Sequence, residues 1–163
     1  MGIIKDAIAL LGIGGVGQRD RLPDRPCNAE GEPKSTVLVI DDDPLVLLTV
    51  KTLLAKRGFE VLSTSSSPRG LDVLRCAARD IRLVVLDYSM PKINGDELLK
   101  FIRLLSPNAK VIGLTGINLD SLPREYIDGV DKLLTKPVIA FELLGAVDGL
   151  LGEGQSTPSA IQS

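Results

Sequence analysis

Histidine and tryptophan are missing from all 163 residues, and aromatic side chains make up only 3% of the chain. Without histidine there is no Ser–His–Asp triad, no HExxH zinc site and no phosphohistidine within the chain. The two cysteines, Cys27 and Cys76, stand too far apart for a metal-ligand spacing. Cys76 falls in a helical pattern, which reads as a reduced thiol either in the core or near the surface, and this usage fits a cytoplasmic location. No apolar run reaches the ~20 residues that cross a bilayer, so no integral membrane segment is expected. The formal net charge is -2 and no basic stripe stands out, which removes any electrostatic case for nucleic-acid binding. The opening MGIIKD lacks a cationic start for a signal peptide, and Asp6 occupies the place where myristoylation needs Ser or Thr.

What is present is an ordinary soluble composition, 44% apolar and 25% charged, enough for one domain plus tails. Its most informative stretch is VLVIDDDP, residues 37–44. Four branched apolar residues read as a strand buried on both faces. Asp41, Asp42 and Asp43 then crowd at its carboxyl end. Two like charges ~4 Å apart repel by about 4 kcal/mol at an effective dielectric of 20. Such a cluster calls for a cation, a raised pKa or full solvation. Oxygen donors suit a hard ion, and carboxylates combined with phosphate oxygens are how Mg²⁺ is usually held. Helix capping ahead of Pro44 explains Asp43, and only Asp43.

Composition divides the chain into three parts. Residues 3–11 place Ile3, Ile4, Ala7, Ile8 and Leu11 on one helical face. Residues 12–35 are rich in Gly, Pro and charge and read as a disordered linker. They contain a literal GxGxxG at Gly12, Gly14 and Gly17, but no strand precedes it and no helix follows, so a dinucleotide site is rejected. From residue 36 to 151 strand and helix patterns alternate. Strands are expected at 37–40, 60–63, 83–86, 110–114 and 132–134. Helices are expected at 44–57, 68–79, 95–105, weakly at 121–128, and at 141–151, with Gly58 ending the first. Five such units predict an α/β, doubly wound parallel sheet. Residues 152–163 read as a disordered tail.

The carboxyl ends of the expected strands carry Asp41 and Asp42, then Asp87, then Thr115, then Lys136 before Pro137. In open α/β sheets those ends converge on one crevice. Each residue alone has an ordinary explanation as a turn, a cap or a solvated charge. All of them together do not.

On the segments VLVIDDDP, LVVLDYSMPKINGDELL, VIGLTG and LLTKP the chain resembles a bacterial two-component response-regulator receiver domain, over residues 36–151. The resemblance implies a five-stranded sheet in the flavodoxin-like order 2-1-3-4-5; only a short tail follows Leu151, so a stand-alone phosphoacceptor without an output domain is expected. The resemblance also implies Asp87 as the phosphoacceptor, and Mg²⁺ held by Asp41, Asp42, Asp87 and the backbone carbonyl of Ser89. Thr115 would bond a phosphoryl oxygen and Lys136 would pair with the phosphoryl group. Met90, Pro91, Asn94 and Gly95 match the turn after the acceptor strand. The implied donor is a sensor histidine kinase or a histidine phosphotransfer protein, and the implied receiver of the signal is a further protein.

The family commonly carries Tyr or Phe three residues before the lysine, where this chain has Leu133, so aromatic switching is not expected. The main rival is an aspartate-nucleophile phosphohydrolase of the haloacid dehalogenase kind, with Asp41 and Asp43 as its D-x-D pair. It needs an acidic pair on a strand after the lysine, whereas Glu142, Asp148 and Glu153 lie in a helix or tail, and it leaves Asp87 unused. A pseudo-receiver that only binds partners is the third reading.

Overall fold

Val37, Val39, Leu83 and Val85 point to one side of a sheet, and Leu38, Ile40, Val84 and Leu86 to the other. Strict alternation of apolar residues on both sides is what a parallel sheet sandwiched between helices requires. The computed structural model describes residues 35–152. The expected N-terminal helix, the linker with Cys27, and the tail lie outside the described residues. The elements are β1 (Thr36–Ile40), α1 (Pro44–Lys56), β2 (Glu60–Thr64), α2 (Ser67–Ala77), β3 (Ile81–Asp87) and α3 (Gly95–Leu105). They continue with β4 (Lys110–Thr115), a 3₁₀ turn (Leu119–Ser121), α4 (Arg124–Gly129), β5 (Lys132–Thr135) and α5 (Ala140–Leu151). All neighbouring strands are parallel, in the order β2-β1-β3-β4-β5. This is the five-stranded, doubly wound α/β sheet expected from the sequence.

One layer joins α1 and α5 to the sheet through Val50, Leu54, Leu143 and Val147. The other joins α2, α3 and α4 through Leu71, Leu74, Leu98, Ile102 and Tyr126. Burying each Val, Leu or Ile side chain stabilises the fold by roughly 1.5–3 kcal/mol.

Local chemistry sets the boundaries. Asp43 caps α1, its Oδ1 accepting the Leu45 N–H at 2.8 Å, with Pro44 in the first turn. At the other end Gly58 has φ 87°, and the N–H groups of Gly58 and Phe59 donate to the carbonyls of Ala55 and Leu54. That pair of bonds needs a left-handed residue, and glycine takes it without strain. The weak helix expected at 121–128 is instead split. Leu122 is extended ahead of Pro123, so α4 starts only at Arg124. β3 begins two residues before its unbroken apolar run, because buried Ile81 continues the pleat while Arg82 points out to solvent.

Candidate functional site

The three consecutive aspartates are sorted by their backbone. Asp41, at the end of β1, is fully buried, and its Oδ1 accepts the Asp43 N–H at 2.9 Å. Asp42 is exposed at the rim. Asp43 uses its carboxylate on the cap of α1. Asp87 closes β3 and is buried. It stands there because α3 starts hard against the strand end. A Cβ on Gly95 would lie 2.8 Å from the Asp87 carbonyl oxygen and 2.7 Å from Tyr88 Cα, so only glycine permits that approach. The turn between them holds Lys92 at φ 73°.

Carboxylate oxygens of Asp41, Asp42 and Asp87 all lie within 4.8 Å of one another. Lys136 follows β5 and reaches across, its backbone N–H donating to the Thr115 carbonyl at 2.7 Å. Its Nζ sits 2.8 Å from Asp41 Oδ2 and 3.1 Å from Asp87 Oδ1. Apart from that ammonium, neither oxygen has a hydrogen-bond partner among the described residues. Burial and the neighbouring Asp41 charge push Asp87 up to about 6, against the opposing pull of Lys136 and of the Ser89 backbone N–H. Burial draws the Lys136 ammonium down, but its bond to Asp41 and the Asp87 and Asp41 charges outweigh that and raise it.

Thr115 ends β4 and is buried. Its hydroxyl is engaged with its own loop, accepting the Ile117 N–H at 3.2 Å and facing the Ile117 carbonyl at 3.3 Å. An open crevice of about 450 Å³ is lined by Asp42, Asp43, Asp87, Ser89, Gly116, Ile117 and Lys136. The sequence-derived residues Asp41, Asp42, Asp87 and Lys136 thus meet, Ser89 lies on the wall, and Thr115 sits behind Gly116 and Ile117. Sequence reasoning missed Gly116 and Ile117 as lining residues, although the glycine directly after Thr115 was a signal for an open approach.

Three carboxylates facing one ammonium leave an excess of negative charge, and every donor present is oxygen. That set fits a small hard cation such as Mg²⁺. The haloacid dehalogenase arrangement finds no support in the geometry: Asp43 is a helix cap, and Asp148 pairs with Arg57 at 3.0 Å.

The Leu133 neighbourhood holds an unforeseen aromatic. Tyr126 of α4 is fully buried, with its hydroxyl 3.4 Å from the Leu86 carbonyl and its ring centroid 4.9 Å from that of Tyr88. A Cβ on Gly113 would lie 2.8 Å from the Tyr126 hydroxyl and 3.0 Å from Leu133 Cδ1. The absent side chain of Gly113 is the space the phenol occupies. Cys76 is exposed.

A parallel α/β sheet with acids at adjacent strand ends and a lysine across from them defines a class, the phospho-signalling receivers. Residues 37–148 match the family model for the response regulator receiver domain, and the chain belongs to that family. It is 34% identical over 131 residues to a CpxR homologue, a transcriptional regulatory protein of Haemophilus influenzae, covering 79% of this chain and 56% of that one. It is 27% identical over 116 residues to the cell cycle transcriptional regulator CtrA of Caulobacter vibrioides, covering 71% and 49%. The chain therefore spans about half the length of the curated relatives it matches. Among solved structures, a receiver domain protein from Clostridium thermocellum superposes with TM-score 0.66 at 36% identity, covering 72% of this chain and 94% of that one. A CheY-like receiver from Methanospirillum hungatei gives 0.64 at 28%, covering 74% and 95%. No helix among the described residues is long and apolar enough to cross a membrane.

Proposed function

We propose that this receiver accepts a phosphoryl group on Asp87 from the phosphohistidine of a sensor histidine kinase or a histidine phosphotransfer protein. The observation that carries the reading is the buried Asp87 carboxylate, 3.1 Å from the Lys136 ammonium and beside Asp41 and Asp42 at the wall of an open crevice. Asp87 attacks phosphorus through a carboxylate oxygen. The new O–P bond forms as the N–P bond of the donor imidazole breaks, and the imidazole leaves. Positioning and charge neutralisation dominate such a transfer. Lys136 is placed to follow the phosphoryl oxygens as negative charge gathers on them. Asp41, Asp42, Asp87 and the Ser89 carbonyl are the residues that would hold Mg²⁺, which when bound neutralises charge on the transferring group. Thr115 bonds a phosphoryl oxygen once its hydroxyl leaves Ile117.

None of the 163 residues is histidine, so the donor imidazole lies outside them, in keeping with the partner proposed above. Residues 36–151 are the receiver, flanked by the segments 1–35 and 152–163, and the protein acts in the cytoplasm as a phosphoacceptor rather than a turnover enzyme. Slow loss of phosphate to water is its only hydrolytic chemistry. The output passes to a further protein, not to nucleic acid.

The test is incubation of the full chain with Mg²⁺ and a small-molecule phosphodonor, followed by intact mass measurement. One phosphoryl group is expected on the wild type and none on Asp87→Asn. Labelling of Asp87→Asn at the wild-type rate overturns the assignment, and an unlabelled wild type favours the pseudo-receiver.

A further inference from the structure

Four large apolar side chains of α1 and the start of α5 stand in solvent. Leu45 and Leu48 of α1 are 71% and 63% exposed, and Ile139 and Phe141 at the start of α5 are 52% and 86% exposed. The two helices cover the same side of the sheet and run the same way, since each follows a parallel strand. Arg57, capping the end of α1, pairs with Asp148 of α5 at 3.0 Å. Counting back equally along both helices from that pair reaches Leu48 and Ile139, which places them at one level beside the carboxyl ends of the strands. The first turns of α1 and α5, neighbours in one layer, thus each expose an apolar patch at the same level, close in sequence to Asp42 and Lys136.

We infer that residues 3–11 of this same chain dock across this paired patch. They carry Ile3, Ile4, Ala7, Ile8 and Leu11 at the spacing of one helical face, an apolar stripe of matching size with only Lys5 and Asp6 as charges. The tether supports the match. Residues 12–34, read from their composition as a linker, join this stripe to β1, and a Gly-rich linker of that length would have an end-to-end distance of about 25 Å. β1 starts at the amino edge of the sheet and its five residues rise about 17 Å to the edge where the patch lies. A tether that matches its span holds the stripe at an effective concentration of about a millimolar, so a contact of only millimolar affinity is half occupied. The docking itself does not depend on Asp87 being the phosphoacceptor.

The test uses the full chain carrying Cys27→Ser, Cys76→Ser and Lys5→Cys, with a nitroxide on the new thiol. Amide signals of Leu45, Leu48, Ile139 and Phe141 are expected to lose most of their intensity relative to the reduced label, while those of Arg75 and Lys100 on the opposite layer keep theirs. Ile4→Asp with Ile8→Asp in the segment, and separately Phe141→Asp on the patch, should each restore the signals. Both changes leave the packed core alone, and unchanged shifts elsewhere verify folding. Intact signals in the labelled protein overturn the inference. Loss seen only when label and isotope sit on different molecules assigns the patch to a second copy instead. Loss that needs added anionic vesicles assigns the segment to a membrane surface. Because no phosphoryl group is involved, failure here is distinct from failure of the phosphoacceptor reading.

Discussion

Two clusters of carboxylates and cations occupy opposite edges of one sheet, and they are built to opposite rules. At the amino edge Asp131 meets Arg103 at 2.8 Å and Lys110 at 3.5 Å, and accepts the Val111 N–H at 2.8 Å. Arg103 also donates to the carbonyls of Gly129 and Ala109. Burial raises Asp131, but the bonds from Arg103 and Val111 and the nearby cations more than reverse that and hold it below the usual carboxylate range. At the carboxyl edge Asp41, Asp42 and Asp87 share Lys136 alone among the cations of the crevice, and Asp87 is pushed up to about 6. The amino-edge cluster ties α3 to the start of β4 and β5 and sets two cations against its one carboxylate. The carboxyl-edge cluster has carboxylate to spare, as a site must that is to take up a cation and an anionic group.

The sharpest way to break this contrast is at Lys136. In chelator Lys136→Met should lose about 2–3 kcal/mol of stability, because two buried carboxylates lose their counter-charge. Saturating Mg²⁺ should return most of it, as read by denaturant melts, whereas the response to beryllofluoride stays poor. An equal loss with and without Mg²⁺ would place the lysine in the fold rather than the site.

Neutralising one acid in each cluster should move stability in opposite directions. Metal-free Asp87→Asn at pH 7 should gain on the order of 1–2 kcal/mol, and Asp131→Asn should lose about as much. The pH profiles follow from the shifts. Asp87 has its folded pKa raised, so its penalty is complete above about 6 and fades as pH falls to 3.8, where the unfolded chain also protonates. Asp131 has its folded pKa lowered, so its contribution holds above the unfolded value and drains away as pH falls through the folded one. Parallel melting curves for the two variants across pH 4–7 would erase the distinction.

Among the neighbouring acids, Asp42→Ala should weaken Mg²⁺ binding by about tenfold. Asp43→Ala should instead cost about 1 kcal/mol of stability through the lost cap and leave the metal nearly untouched. A titration in which Asp43→Ala loses Mg²⁺ and Asp42→Ala keeps it reverses the assignment. An effect of similar size, remote from the crevice acids, is expected beside Leu133. Gly113→Ala should cost about 1–2 kcal/mol through its clash with the Tyr126 hydroxyl. Tyr126→Phe in the same chain should recover part of it.

Much of this was legible before any coordinates. Unbroken apolar runs announce β1 and β3, and the acids that follow them announce the crevice, because a strand's last residue has nowhere to go but its carboxyl edge. The cap at Asp43 and the stop at Gly58 are local chemistry, readable from neighbours in sequence. Three things were not. The split before α4 came from Pro123 overriding a weak helical pattern. The bridging of Asp41 and Asp87 by Lys136 depends on strand order, which the five alternating units leave open. Nothing in the sequence marked Tyr126, and its burial is visible only once Gly113 is known to lie beneath it.

The Thr115 hydroxyl has a further consequence. It is bonded both ways to Ile117, so the loop from Gly116 to Asn118 hangs on a latch whose catch is that single oxygen. A new acceptor at Asp87 cannot draw the hydroxyl inward and leave the loop as it was. One bond would have to open for the other to close, which would release Ile117, 39% exposed at the mouth of the crevice. If Asp87 takes a phosphoryl group as proposed, one rotation of a threonine would carry that chemistry to the protein's outer surface.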